Sequence, residues 1–395
     1  MISKELSDPS RRLVTAAARL LADRGRPGVS ARAVAAEARL AASAINYNLG
    51  GLEQLLSTAL EVGCEEAAAW LARCEPQVAR LPATPDGAAL ALEAVILAWT
   101  GEARDLALLY QEAAGTEVGA RWTGLWADFW ARTAERCGLG AVEGRLLHAA
   151  FESEALFQLS GWSPVLEAAA LRELCGQFGA LWLGASPGLV TGACRIAEEG
   201  AGARPEGSLA APALRIADAA AEVVAEKGLA GLTHRAVAMR AGVTTGAVTH
   251  HFRTIEDLVA GAIRGQVSAL SRVTPGGQAP ATPDGFVDAL FFHARADRPS
   301  IPVLSRRGLF LAAVRRPDLA RAGAVIRFAH GGTTRDSLVR LFRVEADQGV
   351  VVAGVLARLL SALWSACAGQ ADPAEARAIL AEAVIRRPLD RLGAR

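Results

Sequence analysis

The chain has little lysine, tyrosine or methionine, and it lacks the alternating pattern of β-strands. Of its 42 basic residues only Lys4 and Lys227 are lysines, and there are two tyrosines and two methionines. Runs of Val, Ile and Thr at a two-residue spacing are scarce, whereas alanine is abundant and 52% of the residues are hydrophobic. This composition favours an all-α protein with two or more domains. The use of arginine in place of lysine indicates a GC-rich bacterial genome.

Sites for metals, cofactors and covalent catalysis are also missing. The six cysteines form no CxxC pair and no Cys/His cluster, which argues against a zinc site and favours buried thiols in a reducing cytosol. Redox sensing is the alternative role for these thiols. No nucleophile elbow, phosphate-binding loop or metal motif is present. We therefore predict no metal, no cofactor and no enzyme activity, and we assign no catalytic residue.

The sequence offers no clear targeting or membrane-spanning segment. The first twelve residues, MISKELSDPSRR, have no apolar core of the kind found in signal peptides. Residues 350–369 are almost wholly apolar, but Arg358, Trp364 and several small residues favour a buried bundle helix over a membrane span. The expected location is the cytoplasm, without membrane contact.

One stretch occurs twice at a separation of 203 residues, and it decides the predicted fold. The segment that begins at Gly25 aligns without a gap with the segment that begins at Gly228. Both contain RAVA, at 32–35 and 235–238, and the further matches pair Ser30 with Thr233, Ala38 with Ala241, Ala44 with Ala247, Ile45 with Val248, Glu53 with Glu256 and Leu55 with Leu258. A repeat of this kind indicates two copies of one supersecondary unit.

Each copy carries the pattern of three short helices. The apolar positions of the first helix share one face, namely Leu13, Ala17, Leu20 and Leu21 in one copy and Ile216, Ala220, Val223 and Val224 in the other. A glycine is expected to end that helix, and Ser30 or Thr233 to cap the second. A tight turn then leads to a third helix that ends near Leu49 or Phe252. Two short helices across a tight turn, braced by an amphipathic helix, describe a helix-turn-helix.

These residues resemble a known family. The segments SAINYNLGGLEQLL, 43–56, and TGAVTHHFRTIEDLV, 245–259, are similar to the recognition-helix signature of the tetracycline-repressor (TetR) family. Each copy keeps the family's spacing throughout. Because the pattern occurs twice, the chain resembles two family members fused in tandem.

The resemblance implies an all-α chain of two TetR-like units, each a helix-turn-helix DNA-binding domain followed by a helical ligand-binding and dimerisation domain. We expect the DNA-binding domains at 1–60 and 213–265 and the regulatory domains at 61–199 and 266–395. The Gly-, Ala- and Pro-rich segment 200–212 is the predicted linker, and a short helix is expected at 189–199.

Weaker matches support the same division. The segment ATPDG occurs at 83–87 and at 281–285. A capping residue precedes proline at Ser163-Pro164 and at Asp372-Pro373, which predicts the start of a final helix in each half. In the family the last two helices of each subunit pair into a four-helix bundle. Here the two units would pair within one chain as a monomeric pseudo-dimer, with a homodimer as the alternative.

The resemblance also indicates which side chains face DNA. In the second copy Gly242 is expected to adopt the left-handed turn, Thr244 to cap the recognition helix and Phe252 to anchor it. The residues predicted to contact DNA are Arg235, Thr244, Thr245, Gly246, Thr249, His250 and His251 in this copy, and Arg32, Ala42, Ser43, Asn46, Tyr47 and Asn48 in the first copy. Asparagine can read adenine in the major groove, and the two arginines are placed to touch phosphate.

The first copy departs from the motif at its structural positions. Arg39 stands at the turn glycine, Ala41 at the cap and Leu49 at the anchor. A lost cap costs about 1 kcal/mol, and a non-glycine in a left-handed turn costs about 1–2 kcal/mol. Both copies lack the lysine that the family usually has after the recognition helix, since Leu52 and Ile255 stand there. We therefore expect either a low affinity for DNA or a shallow dependence of DNA binding on salt.

Charge separates the two predicted regulatory halves. Residues 61–200 hold nine arginines and nineteen acidic residues, a net charge of −10, whereas residues 266–395 hold eighteen arginines and eleven acidic residues, a net charge of +7. One interpretation is two differently solvated surfaces. The other is that unlike halves attract and like halves repel, so that the two units pair within one chain.

Aromatic residues supply the candidates for an effector site. Trp122, Trp126 and Trp130 lie on one helical stripe, for which packing in a core or interface is the default interpretation. The alternative is a pocket for a small apolar or aromatic effector. Its predicted lining is Trp99, Tyr110, Trp122 and Trp126 in the first half, and Phe291, Phe292, Phe310 and Phe328 in the second.

Together these features predict a ligand-responsive transcription regulator, a repressor that binds double-stranded DNA. Because the two recognition helices differ, the predicted operator is asymmetric and pseudo-palindromic. The alternative is a degenerate TetR-fold sensor or protein-interaction module without specific DNA binding. The two functions differ in one testable respect, because only the first should respond to salt and to the loss of Arg235.

Overall fold

The chain consists of helices and turns throughout the part that the computed structural model describes, namely residues 6–203, 210–227, 231–255, 257–262, 280–295, 301–368 and 370–393. These ranges contain no strand, which confirms the predicted all-α class. Gly228 and Glu256 of the repeat lie outside them, as do parts of the predicted linker and of domains 213–265 and 266–395. The chain divides into two units, Met1–Phe151 and Glu152–Arg395. The finer domain limits stay predictions.

The first unit begins with the three helices that the repeat predicts: α1, Asp8–Arg24; α2, Ala31–Ala38; and α3, Ser43–Leu49. The four apolar positions of α1 identified from the sequence are all buried, so the predicted face is confirmed. Gly25 ends α1 in a positive-φ conformation (φ 67°), as expected for a helix stop. Packing of α1 against both α2 and α3 then fixes the third helix on the unit's surface.

Longer helices complete this unit. They are α4, Leu52–Val78; α5, Pro85–Gly101; α6, Arg104–Ala113; and α7, Glu117–Arg136, followed by α8, Ala141–Gln158, whose residues from Glu152 onwards belong to the second unit. Helix α4 packs against α1 and α3 at one end and against α6 and α7 further along. The core around these helices is aromatic, with the rings of Trp70, Trp99 and Trp126 in mutual contact at centroid distances of 5.0–6.1 Å.

The second unit contains the remaining helices. They are α9, Pro164–Phe178, which continues into a π-helical turn at Gly179–Leu183; α10, Ala193–Ala201; α11, Ala211–Lys227; α12, His234–Ala241; α13, Thr245–His251; α14, Pro283–Ala294; α15, Ile301–Val314; α16, Ala320–Phe328; α17, Gly332–Phe342; α18, Ala346–Cys367; and α19, Pro373–Gly393. Helix α18 packs against α9, α17 and α19, and α10 packs against α9 and α16. The core of this unit is therefore built from both sides of the predicted linker.

The two ATPDG segments begin helices in the same way. The hydroxyl of Thr84 accepts a hydrogen bond from the Gly87 backbone N–H at 3.2 Å, and Thr282 does the same with Gly285 at 3.2 Å. In each case proline occupies the first turn of the helix, where it needs no N–H donor.

Helices α9 and α19 begin at Pro164 and Pro373, as predicted, but one expected cap and the start of one other predicted helix differ from the structure. Asp372 does cap α19 through the N–H groups of Ala374 and Glu375, both at 3.0 Å. Ser163, in contrast, makes no side-chain cap, and its own N–H donates to Glu167 Oε2 at 3.2 Å. The helix expected at 189–199 begins only at Ala193 and ends at Ala201, because Glu173 binds the free N–H groups at its start.

Among the described residues, α18 is the helix that is long and apolar enough to cross a membrane. Most of its apolar stretch is buried against neighbouring helices of the second unit. Arg358, near its middle, is buried and forms an ion pair with Glu154 at 2.7 Å. These contacts agree with the predicted bundle helix.

Candidate nucleic-acid interface

The second helix-turn-helix, formed by α12 and α13, has both predicted caps and the predicted glycine turn. Thr233 caps α12 by accepting from the Ala236 N–H at 3.1 Å, and Thr244 caps α13 by accepting from the Ala247 N–H at 3.2 Å. Between them Gly242 adopts the left-handed conformation, with φ 65° and ψ 36°. The turn is therefore formed by residues that favour it at little energetic cost.

The recognition helix α13 is anchored at its C-terminal end by Phe252. This side chain is only 3% exposed, and it packs so closely against the next helix that a Cβ on Gly261 would lie 2.5 Å from its Cε1 atom. The Phe252 carbonyl also lies 2.8 Å from His234 Nε2, at the start of α12. Because both ends are held, the position of α13 is fixed by the domain that carries it.

The outward face of α13 is polar. Thr245, Thr249, His250 and His251 are exposed, as is Arg235 on α12. The Thr249 hydroxyl donates to the Thr245 carbonyl at 3.0 Å, which leaves its oxygen available as an acceptor. The two imidazoles contact each other at a centroid distance of 5.1 Å. This surface offers donors and acceptors of the kind that read base edges.

The first helix-turn-helix, formed by α2 and α3, reaches the same turn by different means. Ser30 caps α2 through the Ala33 N–H at 3.2 Å, as predicted. Arg39 takes the left-handed conformation with φ 54° and ψ 47°, although it is not glycine. Arg12 supports this turn, because its Nη2 donates to the carbonyls of Ala38 at 2.5 Å and Arg39 at 3.3 Å. These bonds satisfy carbonyls that are left without helical partners at the end of α2.

The recognition helix of the first copy is less firmly held. No side chain caps the start of α3, and Leu49 at its end is only partly buried. Five of the six predicted DNA contacts are exposed, with Tyr47 at 91%. Asn48 is half-buried, and its Nδ2 donates to the Ala44 carbonyl of its own helix at 2.8 Å. Asn48 is therefore less available for base contacts than Asn46.

An ion pair that braces each helix-turn-helix was not predicted from the sequence. Arg19 on α1 pairs with Glu37 on α2 at 3.1 Å, whereas Glu222 on α11 pairs with Arg240 on α12 at 3.1 Å. The paired positions correspond at the repeat distance of 203 residues, with the signs of the charges reversed. Arg240 also pairs with Glu226, and this hydrogen bond lowers the pKa of that carboxyl. The sequence did contain a signal for this ion pair, because each copy has one basic and one acidic residue at the two corresponding positions.

Arg253 is a further basic residue at this surface. It is exposed and directly follows the buried Phe252. Its N–H donates to Asp257 Oδ2 at 3.1 Å, and Thr254 Oγ1 accepts from the Asp257 N–H at 3.0 Å. These bonds fix the start of the next helix, much as a capping box does. Arg253 can therefore offer a phosphate contact that Ile255 cannot.

The aromatic candidates of the first half lie inside the core. Trp99, Trp122 and Trp126 are at most 1% exposed, and Tyr110 is 6% exposed and packs on Trp122 at 5.4 Å. The indole N–H groups of Trp122 and Trp126 have no hydrogen-bond partner in the described part of the chain. The packing agrees with the default interpretation of a core stripe, and an effector site here stays a prediction.

The aromatic candidates for an effector site in the second half pack against different partners. Phe310 packs on Phe157 at 5.1 Å and Phe328 on Trp162 at 6.4 Å. Phe291 lies beneath the guanidinium of Arg386 at 5.6 Å, and Phe292 is 58% exposed. Within the described ranges no ring contact joins Phe291 or Phe292 to Phe310 or Phe328.

A cleft of about 300 Å³ lies elsewhere in the first unit. It is lined by Arg26, Glu53, Ser57, Leu60, Glu61, Thr116, Glu117, Val118 and Arg121, and none of the predicted effector residues is among them. In the described parts of the chain, no group of three or more His, Cys, Asp or Glu residues could hold a metal ion.

The second helix-turn-helix matches a known family. Residues 216–262 match the family model described as bacterial regulatory proteins, tetR family. Two solved structures align with 44% of this chain at 29% identity: a member of the TetR family (SCO1917) from Streptomyces coelicolor A3, with 98% of that chain covered and a TM-score of 0.31, and the multidrug binding protein EbrR complexed with imidazole, with 96% covered and a TM-score of 0.29. A comparison with curated proteins found no match.

The capped, anchored recognition helix with its exposed polar face defines a helix-turn-helix DNA-binding regulator. The match at 216–262, in which α12 and α13 lie, identifies this helix-turn-helix as a DNA-binding segment of the TetR type.

Proposed function

We propose that this protein is a ligand-responsive repressor of transcription in the cytoplasm. It binds double-stranded DNA through two unlike reading heads, α12–α13 and α2–α3, and it responds to a small apolar or aromatic effector. The observation that carries the proposal is the exposed polar face of α13, whose helix is capped by Thr244 and anchored by Phe252. A surface held this rigidly suits base reading, because base contacts need fixed geometry.

Three features support a second head at α2–α3. Ser30 and Thr233 cap their helices in the same way, and Arg39 and Gly242 share one backbone conformation. The brace between the first and second helices is also present in both copies with reversed charge. These correspondences favour a tandem duplication, in which one copy kept the turn glycine and the other replaced it.

The two heads differ where they would read. Thr249 and His250 occupy the exposed face of α13, and Asn46 and Tyr47 occupy that of α3. Side chains of different hydrogen-bonding type favour different base pairs. The proposed operator is therefore pseudo-palindromic, with two unequal half-sites whose centres lie about 34–36 Å apart, one turn of DNA.

One chain can supply both heads as a pseudo-dimer. In support of this, helices from before and after the predicted linker pack together in the second unit, α9 with α18 and α10 with α16. A monomeric particle would then bind the whole operator, and its affinity would not depend on dimerisation.

The effector would bind among the aromatic residues of the first unit. Among the described residues the indole N–H groups of Trp122 and Trp126 have no acceptor, which supports this choice, because buried donors without acceptors are rare and a ligand carbonyl or ether could satisfy them. Entry requires the helices around the cluster to separate, which offers a route by which ligand could alter the reading heads.

Selection of bound DNA from a random library tests the proposal directly. We expect an asymmetric site in which Thr249→Ala or His250→Ala relaxes one half and Asn46→Ala relaxes the other. Met239→Ala, an exposed change on α12, serves as the control. A palindromic site would contradict the unlike heads. A DNA affinity that changes neither with salt concentration nor in the Arg235→Ala variant would favour the alternative, a sensor or protein-interaction module without specific DNA binding.

The effector is tested by release of the selected DNA. Candidate aromatic compounds are added to the complex, and the fluorescence of the tryptophan cluster and the bound DNA fraction are followed together. We expect compounds that change the fluorescence to release DNA, and Trp126→Phe to weaken both effects. A compound that releases DNA without any change in fluorescence would place the effector elsewhere.

A further inference from the structure

The core of the second unit joins two surfaces of opposite charge. We call residues 152–203 the glutamate segment, and we call a set of six arginines from later in the chain the arginine face: Arg321, Arg327, Arg335, Arg358, Arg387 and Arg391. All six arginines donate hydrogen bonds or form ion pairs with the glutamate segment, as described next.

Three buried ion pairs have the same polarity. Glu154 pairs with Arg358 at 2.7 Å and Glu198 pairs with Arg335 at 2.7 Å, with every side chain at most 8% exposed. The third pair, Glu167 with Arg327 at 3.5 Å, is at most 1% exposed. In each pair the glutamate precedes the predicted linker and the arginine follows it. A fourth pair, between Arg195 and Asp347 at 2.8 Å, has the opposite polarity but is about 40% exposed.

The same arginine face also satisfies the ends of helices in the glutamate segment. Arg327 Nη1 donates to the Phe157 carbonyl at 3.2 Å, near the end of α8. Arg387 and Arg391 donate to the Trp182 and Ala180 carbonyls at 3.1 and 3.2 Å, at the end of the α9 helix and its π-helical turn.

Arg321 does the same at the end of α10, where its Nε donates to the Ala201 carbonyl at 3.3 Å. The C-terminal end of a helix carries partial negative charge and unsatisfied carbonyls, which cations stabilise. Three successive helices of the glutamate segment therefore end on guanidinium groups from the arginine face.

This arrangement cannot form between two copies of the same surface. A symmetric dimer places the same patch on both subunits, so two glutamate segments would bring six of these carboxylates together without their guanidinium partners. A buried charge that loses its partner is strongly destabilised, and like charges in an interface repel. Two arginine faces would fail for the same reason.

From these contacts we infer that the glutamate segment is an interaction surface that accepts only the arginine face, so that each chain pairs its own two halves and excludes an identical surface of a second copy. The inference rests on the proposed pairing of two units in one chain, and it names the residues that decide the partner. Apolar packing supplies the contact area, and the polarity of the ion pairs supplies the choice of partner.

A charge reversal at Glu198 and Arg335 tests the inference, since both carboxylate oxygens of Glu198 accept from Arg335 Nη1, at 2.8 and 2.7 Å. Glu198→Arg and Arg335→Glu are made singly and together in the full chain. We expect each single variant to lose the monomeric form and to unfold at a lower temperature, because like charges then meet in a buried site. The double variant is expected to return both properties towards those of the original chain.

A mixing experiment separates choice of partner from stability. The Glu198→Arg chain and the Arg335→Glu chain, with different tags, are expressed together, and complexes are analysed by light scattering and native mass spectrometry. Exchange of the glutamate segments restores opposite charges in both interfaces, so we expect a mixed dimer of one chain of each kind. The original chain and the double variant, expressed together, are the control and should form no mixed dimer, because exchange between them would bring like charges together at this buried site.

Three results would overturn the inference: single variants as stable and monomeric as the original chain, a double variant that is not rescued, or a random mixture of self-paired and mixed dimers. None of these measurements involves DNA. A failure to bind DNA would contradict the proposed regulator and leave the pairing rule intact, whereas a failure of the exchange would contradict only the pairing rule.

Discussion

Arg39 and Gly242 adopt the same left-handed backbone conformation at the turns of the two helix-turn-helix segments. The conformation costs glycine little, whereas it costs an L-residue with a side chain about 1–2 kcal/mol. Part of this cost is offset by Arg12, which donates to the carbonyls of Ala38 and Arg39. The first turn therefore forms against the conformational preference of Arg39, whereas the second turn agrees with the preference of Gly242.

This relationship predicts that Arg39→Gly stabilises the first reading head. The strain disappears, while the bonds from Arg12 go to backbone carbonyls and stay in place. Glycine also makes the unfolded chain more flexible, which offsets part of this effect. We therefore expect the net stability of the head to rise by about 1 kcal/mol. Native-state hydrogen exchange of the α2 and α3 amides measures this local stability without requiring the whole chain to unfold in one step.

The matched control is Gly242→Ala in the second head. A Cβ at this position would meet no atom within 4 Å, so only the backbone conformation is affected. We expect faster exchange in α12 and α13 and none of the gain seen for Arg39→Gly. Equal exchange rates in both variants and the original chain would show that neither turn is strained.

The anchor of α13 gives a second prediction. Gly261→Ala would place a Cβ 2.5 Å from the Phe252 ring, so we expect a loss of about 1–3 kcal/mol from overpacking. Phe252→Leu alone removes buried ring atoms and should also destabilise the head. The double variant should lose less than the sum of the two, because the smaller leucine leaves room for the new methyl group.

Thermal unfolding and hydrogen exchange of the four proteins complete this double-mutant cycle. The first reading head already contains the smaller anchor with a larger neighbour, since Leu49 and Thr58 stand at the positions equivalent to Phe252 and Gly261. Strictly additive losses would mean that ring and glycine are not in contact.

The sequence was sufficient for the parts of the fold that local chemistry controls. The caps at Ser30 and Thr233 and the glycine turn at Gly242 were predicted because hydroxyl side chains and glycine have strong positional preferences. The apolar face of α1 followed from helical periodicity. Ser163 was wrongly expected to cap α9, since the side chain of Glu167 accepts the nearby donors instead.

The sequence pattern did not predict which residues of distant segments contact each other. The difference in net charge between the halves gave a hypothesis of pairing, but nothing in it singled out Glu198 and Arg335, which lie 137 residues apart. The half-buried state of Asn48 was also missed, because the backbone carbonyl of its own helix competes for its amide. A recognition helix pattern shows which residues share a face and does not show which polar groups remain available.

The start of α10 gives a pH-dependent prediction. Burial raises the pKa of Glu173, but hydrogen bonds from the Thr191 hydroxyl and from the backbone N–H groups of Cys194, Ala193 and Thr191 outweigh it and hold the pKa below its ordinary value. A carboxyl with a lowered pKa stabilises the fold fully above its ordinary pKa of about 4.3, and loses that contribution as the pH falls further.

We therefore expect Glu173→Gln to destabilise the second unit by about 1.5–3 kcal/mol near neutral pH, the range for hydrogen bonds to a charged group. The difference from the original chain should shrink as the pH falls below about 4. Urea unfolding at a series of pH values measures it. Glu199→Gln on the same helix is the control, because Glu199 is exposed and its ion pair with Arg195 contributes little. If the difference in stability between Glu173→Gln and the original chain grew as the pH fell, the pKa of Glu173 would be raised rather than lowered in the folded protein.

The last prediction concerns how Arg235 and Arg253 contribute to DNA binding. Both are exposed cations at the proposed reading surface, one on α12 and the other just after α13. A phosphate contact adds affinity without regard to base sequence, and its loss lowers the slope of log affinity against log salt by about 1. We expect Arg235→Ala and Arg253→Ala each to weaken all sites alike, whereas Thr249→Ala should weaken only the preferred half-site.

Affinities measured over a range of salt concentrations, with the selected operator and with a scrambled duplex, separate these effects. Arg386→Ala removes the same charge from an exposed position on α19, outside the helix-turn-helix, and serves as the control. If Arg386→Ala changed the slope as much as Arg235→Ala, the salt dependence would come from the overall charge of the protein. A slope that changes only for Arg235→Ala and Arg253→Ala assigns two phosphate contacts to the second head, and these compensate for the missing lysine at Ile255.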